Sequence, residues 1–81
     1  MKALVTGASS GLGWDMARIL DDMGIDVICV ARREERLKEL QTLLGPTAQI
    51  RVCDLSEKDE CLALYAALKD EDIDILINNA G

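Results

Sequence analysis

The order in which apolar patterns change along this chain constrains its fold more than any single residue does. Four short β-rich runs alternate with three stretches of helical periodicity, and such alternation builds βαβ units around a parallel sheet. The runs cover residues 2–6, 26–31, 48–53 and 73–77. The second, DVICVA, lacks polar alternation, as a strand covered on both faces should. The first helical segment spans 11–23, with Met16, Ile19, Leu20 and Met23 as its inward stripe and Gly24 as its stop. The next spans 33–44, with Leu37, Leu40 and Leu44 inward and Gly45-Pro46 ending it. The third spans 56–69; Ser56 with Asp59 three residues on marks its start, and Cys61, Leu62, Tyr65 and Leu68 form its inward face. Right-handed crossovers in a doubly wound pattern predict strand order 3-2-1-4. Ligands of such sheets sit beyond the carboxyl ends of the strands, at the switch point between strands 1 and 4.

Composition narrows the options further. At 81 residues the chain is one domain at most, without linker, repeat or low-complexity stretch. One Trp, one Tyr and no Phe make the core aliphatic, which suits helices packed closely on a parallel sheet. A net charge of −6 argues against a nucleic-acid partner, which needs clustered Lys and Arg. Any phosphate ligand must therefore be held locally, by oriented N–H groups and a few placed cations. No apolar run approaches the roughly 20 residues of a membrane span, and Met1-Lys2 leads straight into a strand rather than a signal peptide. Cys29, Cys53 and Cys61 lie in apolar runs without metal-ligand spacing, and the chain has no His. They read as buried reduced thiols of a cytoplasmic protein, with no metal site.

Between the first strand and first helix lies Thr6-Gly7-Ala8-Ser9-Ser10-Gly11-Leu12-Gly13. Glycines at such a junction let a diphosphate approach the backbone and meet the helix N-terminus. The spacing is G-x-x-x-G-x-G, and Asn78-Asn79-Ala80-Gly81 follows the fourth strand. With these two motifs the chain resembles the short-chain dehydrogenase/reductase family, whose fingerprint T-G-x-x-x-G-x-G is matched by Thr6, Gly7, Gly11 and Gly13. The resemblance covers the whole chain and implies a Rossmann-type sheet, here ending after its fourth strand, so that residues 1–81 form a partial dinucleotide-binding domain. It implies that Gly7, Ser9, Ser10, Gly11, Leu12 and Gly13 wrap the cofactor's pyrophosphate. It further implies that Asp54 accepts from the adenine amino group with Leu55 packed nearby. Asn78 would steady the central sheet, Ala80 and Gly81 would pass close to the cofactor's ribose, and Asn79 would belong to the same cofactor site.

The end of the second strand separates NAD from NADP. A carboxylate there accepts from the ribose 2′-hydroxyl, whereas a 2′-phosphate needs a cation. The chain has Ala31-Arg32-Arg33, so NADP is the expected cofactor and NAD the lesser one. Arg32 is the first candidate for the 2′-phosphate and Arg33 the second, each offering a planar fork suited to phosphate oxygens. Ser10 stands where some NADP-preferring members of the family carry a basic residue.

The family's chemistry uses a Ser and a Tyr-x-x-x-Lys pair that follow the N-N-A-G motif, in chains roughly three times this length. No catalytic residue is therefore assigned, and the chain alone is expected to be inactive. Tyr65-Ala66-Ala67-Leu68-Lys69 spells the pair but precedes N-N-A-G, so Tyr65 reads as an inward aromatic and Lys69 as a cation near a helix C-terminus. Two functions stay open. One is the NADP(H)-binding N-terminal portion of an oxidoreductase; the other is a stand-alone, non-catalytic module that binds a nucleotide or a protein. A non-oxidoreductase Rossmann protein is a third, weaker reading. The family usually forms homo-oligomers through later helices, which this chain lacks, and the substrate is not readable from these residues.

Overall fold

The computed structural model describes residues 1–79; Ala80 and Gly81, assigned above to the cofactor's ribose, lie outside the described residues. The elements run β1 (Lys2–Thr6), α1 (Gly11–Asp22), β2 (Asp26–Ala31), α2 (Glu34–Leu43), β3 (Gln49–Val52), α3 (Lys58–Leu68) and β4 (Ile75–Asn78). All strand pairs are parallel, and the order is β3-β2-β1-β4, as the connection rules require. β1 pairs with β2 from Lys2 opposite Asp26 to Thr6 opposite Val30, and with β4 from Ala3 opposite Ile75 to Thr6 opposite Asn78.

The pleat of β2 sorts the core into two layers. Val27, Cys29 and Ala31 join Ala3, Val5, Ala17, Leu20, Leu37 and Leu40 under α1 and α2. Ile28 and Val30 point the other way, against Leu68 and Cys53, with Leu4 and Leu64 packed beside them. Both faces of β2 are thus filled by aliphatic side chains, which explains its unbroken apolar sequence. At the amino edge of the sheet, the Lys2 ammonium pairs with Glu71, the Lys2 N–H donates to the Asp74 carboxylate and the Asp74 N–H donates to the Lys2 carbonyl, tying the start of β1 to the loop before β4.

The inward faces of two helices differ from the sequence expectation. In α1 the buried residues are Gly13, Ala17 and Leu20, while Ile19 and Met23 are exposed and Met16 is half-buried. Small residues at Gly13 and Ala17 let the helix lie close on β1 and β2, with Leu20 filling the layer one turn on, and Ile19 and Met23 are left outside. In α3 only Leu68 is fully buried; Cys61 and Leu64 are partly covered, and Leu62 and Tyr65 face solvent. Apolar residues occur around much of this helix, so periodicity does not single out one stripe. Its position against β2 selects Leu64 and Leu68, while the Cys61 thiol donates to the Leu55 carbonyl at 3.2 Å. Nor is Ser56 the cap of α3. Glu57 occupies that position, and Ser56 binds Asp54 instead. The observed β3 and β4 are shorter than or shifted from the expected runs, with β4 starting at Ile75 rather than Ile73.

Candidate functional site

The carboxyl ends of all four strands open into one cleft of about 380 Å³. Its lining comes from the β1–α1 turn (Gly7, Ser9, Ser10), the end of β2 (Ala31, Arg32), the loop after β3 (Cys53, Asp54, Leu55, Ser56) and Asn79 after β4. This is the crevice in which open α/β sheets bind ligands.

The turn after β1 is fixed by backbone geometry. Gly7 and Gly11 have φ of 64° and 56°, the left-handed region that side chains disfavour. At Gly11 an added Cβ would meet nothing, so the glycine serves conformation and leaves the space in front of the turn open. At Gly13 the reason is contact: a Cβ would collide with the Gly7 carbonyl oxygen and lie 2.9 Å from Asn79 Nδ2. The Ala8 N–H donates to the Val30 carbonyl at 3.1 Å, holding the turn against β2. Ser10 caps α1 without a side-chain hydrogen bond, and the first turn carries no acidic residue. The leading N–H groups of α1 are thus suited to an anion.

Thr6 joins β1 to the end of β4. Its hydroxyl accepts from the Asn79 N–H at 3.1 Å and lies 3.1 Å from Asn78 Oδ1, to which it donates. The Asn79 amide donates to the Gly7 carbonyl at 3.4 Å. The two Asn residues therefore brace the glycine-rich turn through the neighbouring strand, and both motifs act as one unit.

Across the cleft stands Asp54. The Ser56 hydroxyl and amide donate to its Oδ1 at 2.7 and 3.0 Å, and the Asp54 N–H donates to Glu60 at 2.9 Å. The Ser56 bonds hold the carboxyl below its usual range, with a smaller contribution from Arg32. Among the described residues no donor is bonded to Oδ2, which leaves an ionised acceptor facing the cleft. Arg32 lines the cleft, is exposed and makes no ion pair among the described residues.

Seven of the expected residues thus meet in one place: Gly7, Ser9, Ser10, Arg32, Asp54, Leu55 and Asn79. Four do not line the cleft. Gly11 and Gly13 shape its turn, exposed Leu12 points away from the core, and Arg33 caps α2. Sequence reasoning missed Ala31, Cys53 and Ser56 in the lining, and also Arg36, which donates to the Ser9 carbonyl. Arg36 carries no signal of its own in the sequence, because its partners Ser9 and Trp14 belong to the preceding βα unit.

Tyr65 is 71% exposed and Lys69 caps the far end of α3, so this Y-x-x-x-K lies outside the cleft, and the inward reading of Tyr65 is corrected. The helix is apolar on several sides, and the shorter Leu64 takes the inward place. The three cysteines are free; Cys29 and Cys53 are buried and Cys61 is half-buried. Burial pushes the Cys29 thiol up to about 12 and raises that of Cys53. Among the described residues no group of metal-ligating side chains is assembled, and no helix is long and apolar enough to cross a membrane. The cleft thus brings the Arg32 side chain and the Asp54 carboxylate, held below its usual range, to the same opening.

A family model described as short chain dehydrogenase matches residues 1–81. The 3-oxoacyl-acyl-carrier-protein reductase FabG of Rickettsia prowazekii is 44% identical over 79 residues, which cover 98% of this chain and 32% of that protein. A probable NADP-dependent dehydrogenase of Dichelobacter nodosus is 42% identical over 83 residues, covering 100% of this chain and 78% of its own length. Among solved structures, serine dehydrogenase complexed with NADP+ superposes with a TM-score of 0.90 at 41% identity, over 100% of this chain and 34% of that one. The chain therefore spans about a third of the length of the reductase and of the serine dehydrogenase.

Proposed function

Because this chain belongs to the short-chain dehydrogenase family, we propose that its cleft binds the adenosine-diphosphate half of NADP(H). On this reading residues 1–81 are the N-terminal dinucleotide-binding portion of an oxidoreductase acting on a carbonyl or alcohol carbon. The relatives named above support that class: one is a reductase of a 3-oxoacyl group and another a serine dehydrogenase. When bound, the nicotinamide supplies or accepts the hydride. The chain's own part is to hold and orient.

The assignment distributes the ligand over the cleft by charge. The pyrophosphate lies over the turn formed by Gly7, Ser9, Ser10 and Gly11, against the N-terminus of α1. Leu12 and Gly13 support that turn from within the helix. The Asp54 carboxylate accepts from the adenine amino group, beside Leu55. Asn79, with Ala80 and Gly81, borders the ribose toward the nicotinamide. Arg32 takes the 2′-phosphate, with Arg33 as the outer cation.

One observation carries the preference for NADP(H). Arg32 reaches the cleft without a carboxylate partner, and the position that would carry a ribose-binding acid is the buried Ala31. Calorimetric titration with NADPH and, separately, NADH tests it. NADPH should bind more tightly, and Arg32→Ala should weaken it by about 10- to 100-fold, the worth of a charge-assisted contact, while changing NADH little. Equal affinity for both dinucleotides, unaltered by Arg32→Ala, would overturn the preference. Binding of neither by the folded chain would overturn the cofactor reading.

A further inference from the structure

Arg36 makes three contacts that the cofactor reading leaves unexplained. Its Nε donates to the Ser9 carbonyl at 3.1 Å, 27 residues away in sequence. Its guanidinium carbon stands 4.3 Å from the centroid of the Trp14 ring in α1. Its Nη1 donates to Glu39 at 2.9 Å, one turn further along α2. The guanidinium is therefore clamped on three sides, by the middle of the glycine-rich turn, by the helix the turn leads into, and by its own helix.

The clamp is well placed to matter. Between the left-handed Gly7 and Gly11, the Ser9 and Ser10 peptides line the cleft, and the cap at Ser10 has no side-chain hydrogen bond of its own. Ala8 is held by Val30, and the Gly7 carbonyl accepts from the Asn79 amide and leaves no room for a side chain at Gly13. Ser9 lies between these anchors, and its carbonyl has Arg36 as its donor. Holding that carbonyl also sets the peptide plane of Ser9–Ser10, and so the direction in which the Ser10 N–H points. A planar guanidinium can do this while stacked on an indole; an ammonium has no plane to stack.

The geometry points to Arg36 as a positioning residue of the phosphate-binding turn. Stacked on Trp14 and bonded to the Ser9 carbonyl, it fixes the turn's N–H groups for the diphosphate without touching the dinucleotide. The inference rests on the cofactor reading, but its effect on the turn exists without ligand and is measured separately. Because the diphosphate is common to both dinucleotides, loss of Arg36 weakens NADPH and NADH alike. Loss of a 2′-phosphate contact weakens NADPH alone.

The test compares the 81-residue chain with its Arg36→Met variant, which keeps an unbranched side chain over Trp14 and removes the cation and donor. Glu39→Gln is the control, since it releases only the outer contact of the guanidinium. Without ligand, amide exchange at Ala8–Gly11 is expected to quicken in Arg36→Met, with a changed emission from Trp14, the chain's single tryptophan. With ligand, calorimetry should show NADPH and NADH each weakened about tenfold, their ratio kept, and Glu39→Gln binding as the parent does. If Arg36→Met does not fold, Arg36→Lys is measured in the same way and should shift exchange and affinity in the same direction. Unchanged exchange and affinity overturn the proposal. A collapse of the NADPH-to-NADH ratio also overturns it, because Arg36 would then touch the 2′-phosphate itself. If the parent chain binds neither dinucleotide, the cofactor reading fails, and the exchange comparison alone decides whether Arg36 orders the turn.

Discussion

At Gly13 a single hydrogen in place of a methyl group lets a helix, a turn and the end of a strand meet. The added Cβ of Gly13→Ala would strike a backbone carbonyl, and backbone cannot swing aside as a flexible side chain can. Overpacking of this kind costs about 1–3 kcal/mol, here against strands whose Asn79–Gly7 and Asn79–Thr6 bonds would be displaced together. Urea denaturation of Gly13→Ala should therefore show a lower midpoint at unchanged slope. A variant as stable as the parent would mean that α1 moves away without cost. The cysteines give a second prediction at this scale. Cys29 keeps its proton in the folded chain up to about pH 12, whereas an exposed thiol releases it near 9. Between those values the folded state binds more protons, so stability is fully present below about pH 9 and declines as pH rises towards 12. Alkylation of the native chain near neutral pH should label Cys61 first and Cys29 last, in order of burial. Rapid labelling of Cys29 would contradict the sealed layer beneath α1 and α2.

Among the elements, strands were easier to read in sequence than helix faces. β2 announced itself because both of its faces are buried, so no polar residue interrupts the run. The order β3-β2-β1-β4 followed from chirality and short connections, which depend little on side-chain detail. The faces of α1 and α3 were not legible, since each helix has more apolar residues than it can bury. Which of them turn inward depends on how closely the helix approaches the sheet, and Gly13 and Ala17 decide that for α1. The site shows the same division. Gly7, Arg32 and Asp54 could be placed because each lies just beyond the carboxyl end of a strand of known order. Arg36 could not, because its partners Ser9 and Trp14 come from a different βα unit. The reassigned face of α3 has a measurable consequence. Leu68→Ala should destabilise the chain by about 2–5 kcal/mol, and Tyr65→Ser by under about 0.5 kcal/mol. A thermal melt in which Tyr65→Ser costs as much as Leu68→Ala would restore the inward reading.

For the whole molecule, the cleft and the stability of the sheet are one property. The lining residues come from the ends of all four strands, so a ligand held there adds a further link between elements already joined by their ladders and by the Thr6, Asn78 and Asn79 bonds. The described sheet needs such help at β4. α3 packs over β2 rather than β4, and Leu76 is 61% exposed on that face, while Ile75 and Ile77 pack under the other helices. Binding to the folded state alone adds RT ln(1 + [L]/Kd), about 2.7 kcal/mol when the ligand is at 100 times its Kd. In a domain of this size each kcal/mol moves the melting temperature by about 4–8 °C, so saturating NADPH should raise it by roughly 10–20 °C. NADH at the same concentration should raise it less, and Arg32→Ala should bring the NADPH shift down to the NADH value. The shift should also grow with the logarithm of NADPH concentration, which distinguishes linked binding from a general effect of added anions. A control titration with inorganic phosphate should therefore leave the melt almost unmoved. If NADPH and phosphate gave the same small shift, the cleft would be a site for anions in general, and the contacts assigned to Asp54 and Arg32 would have no ligand to explain.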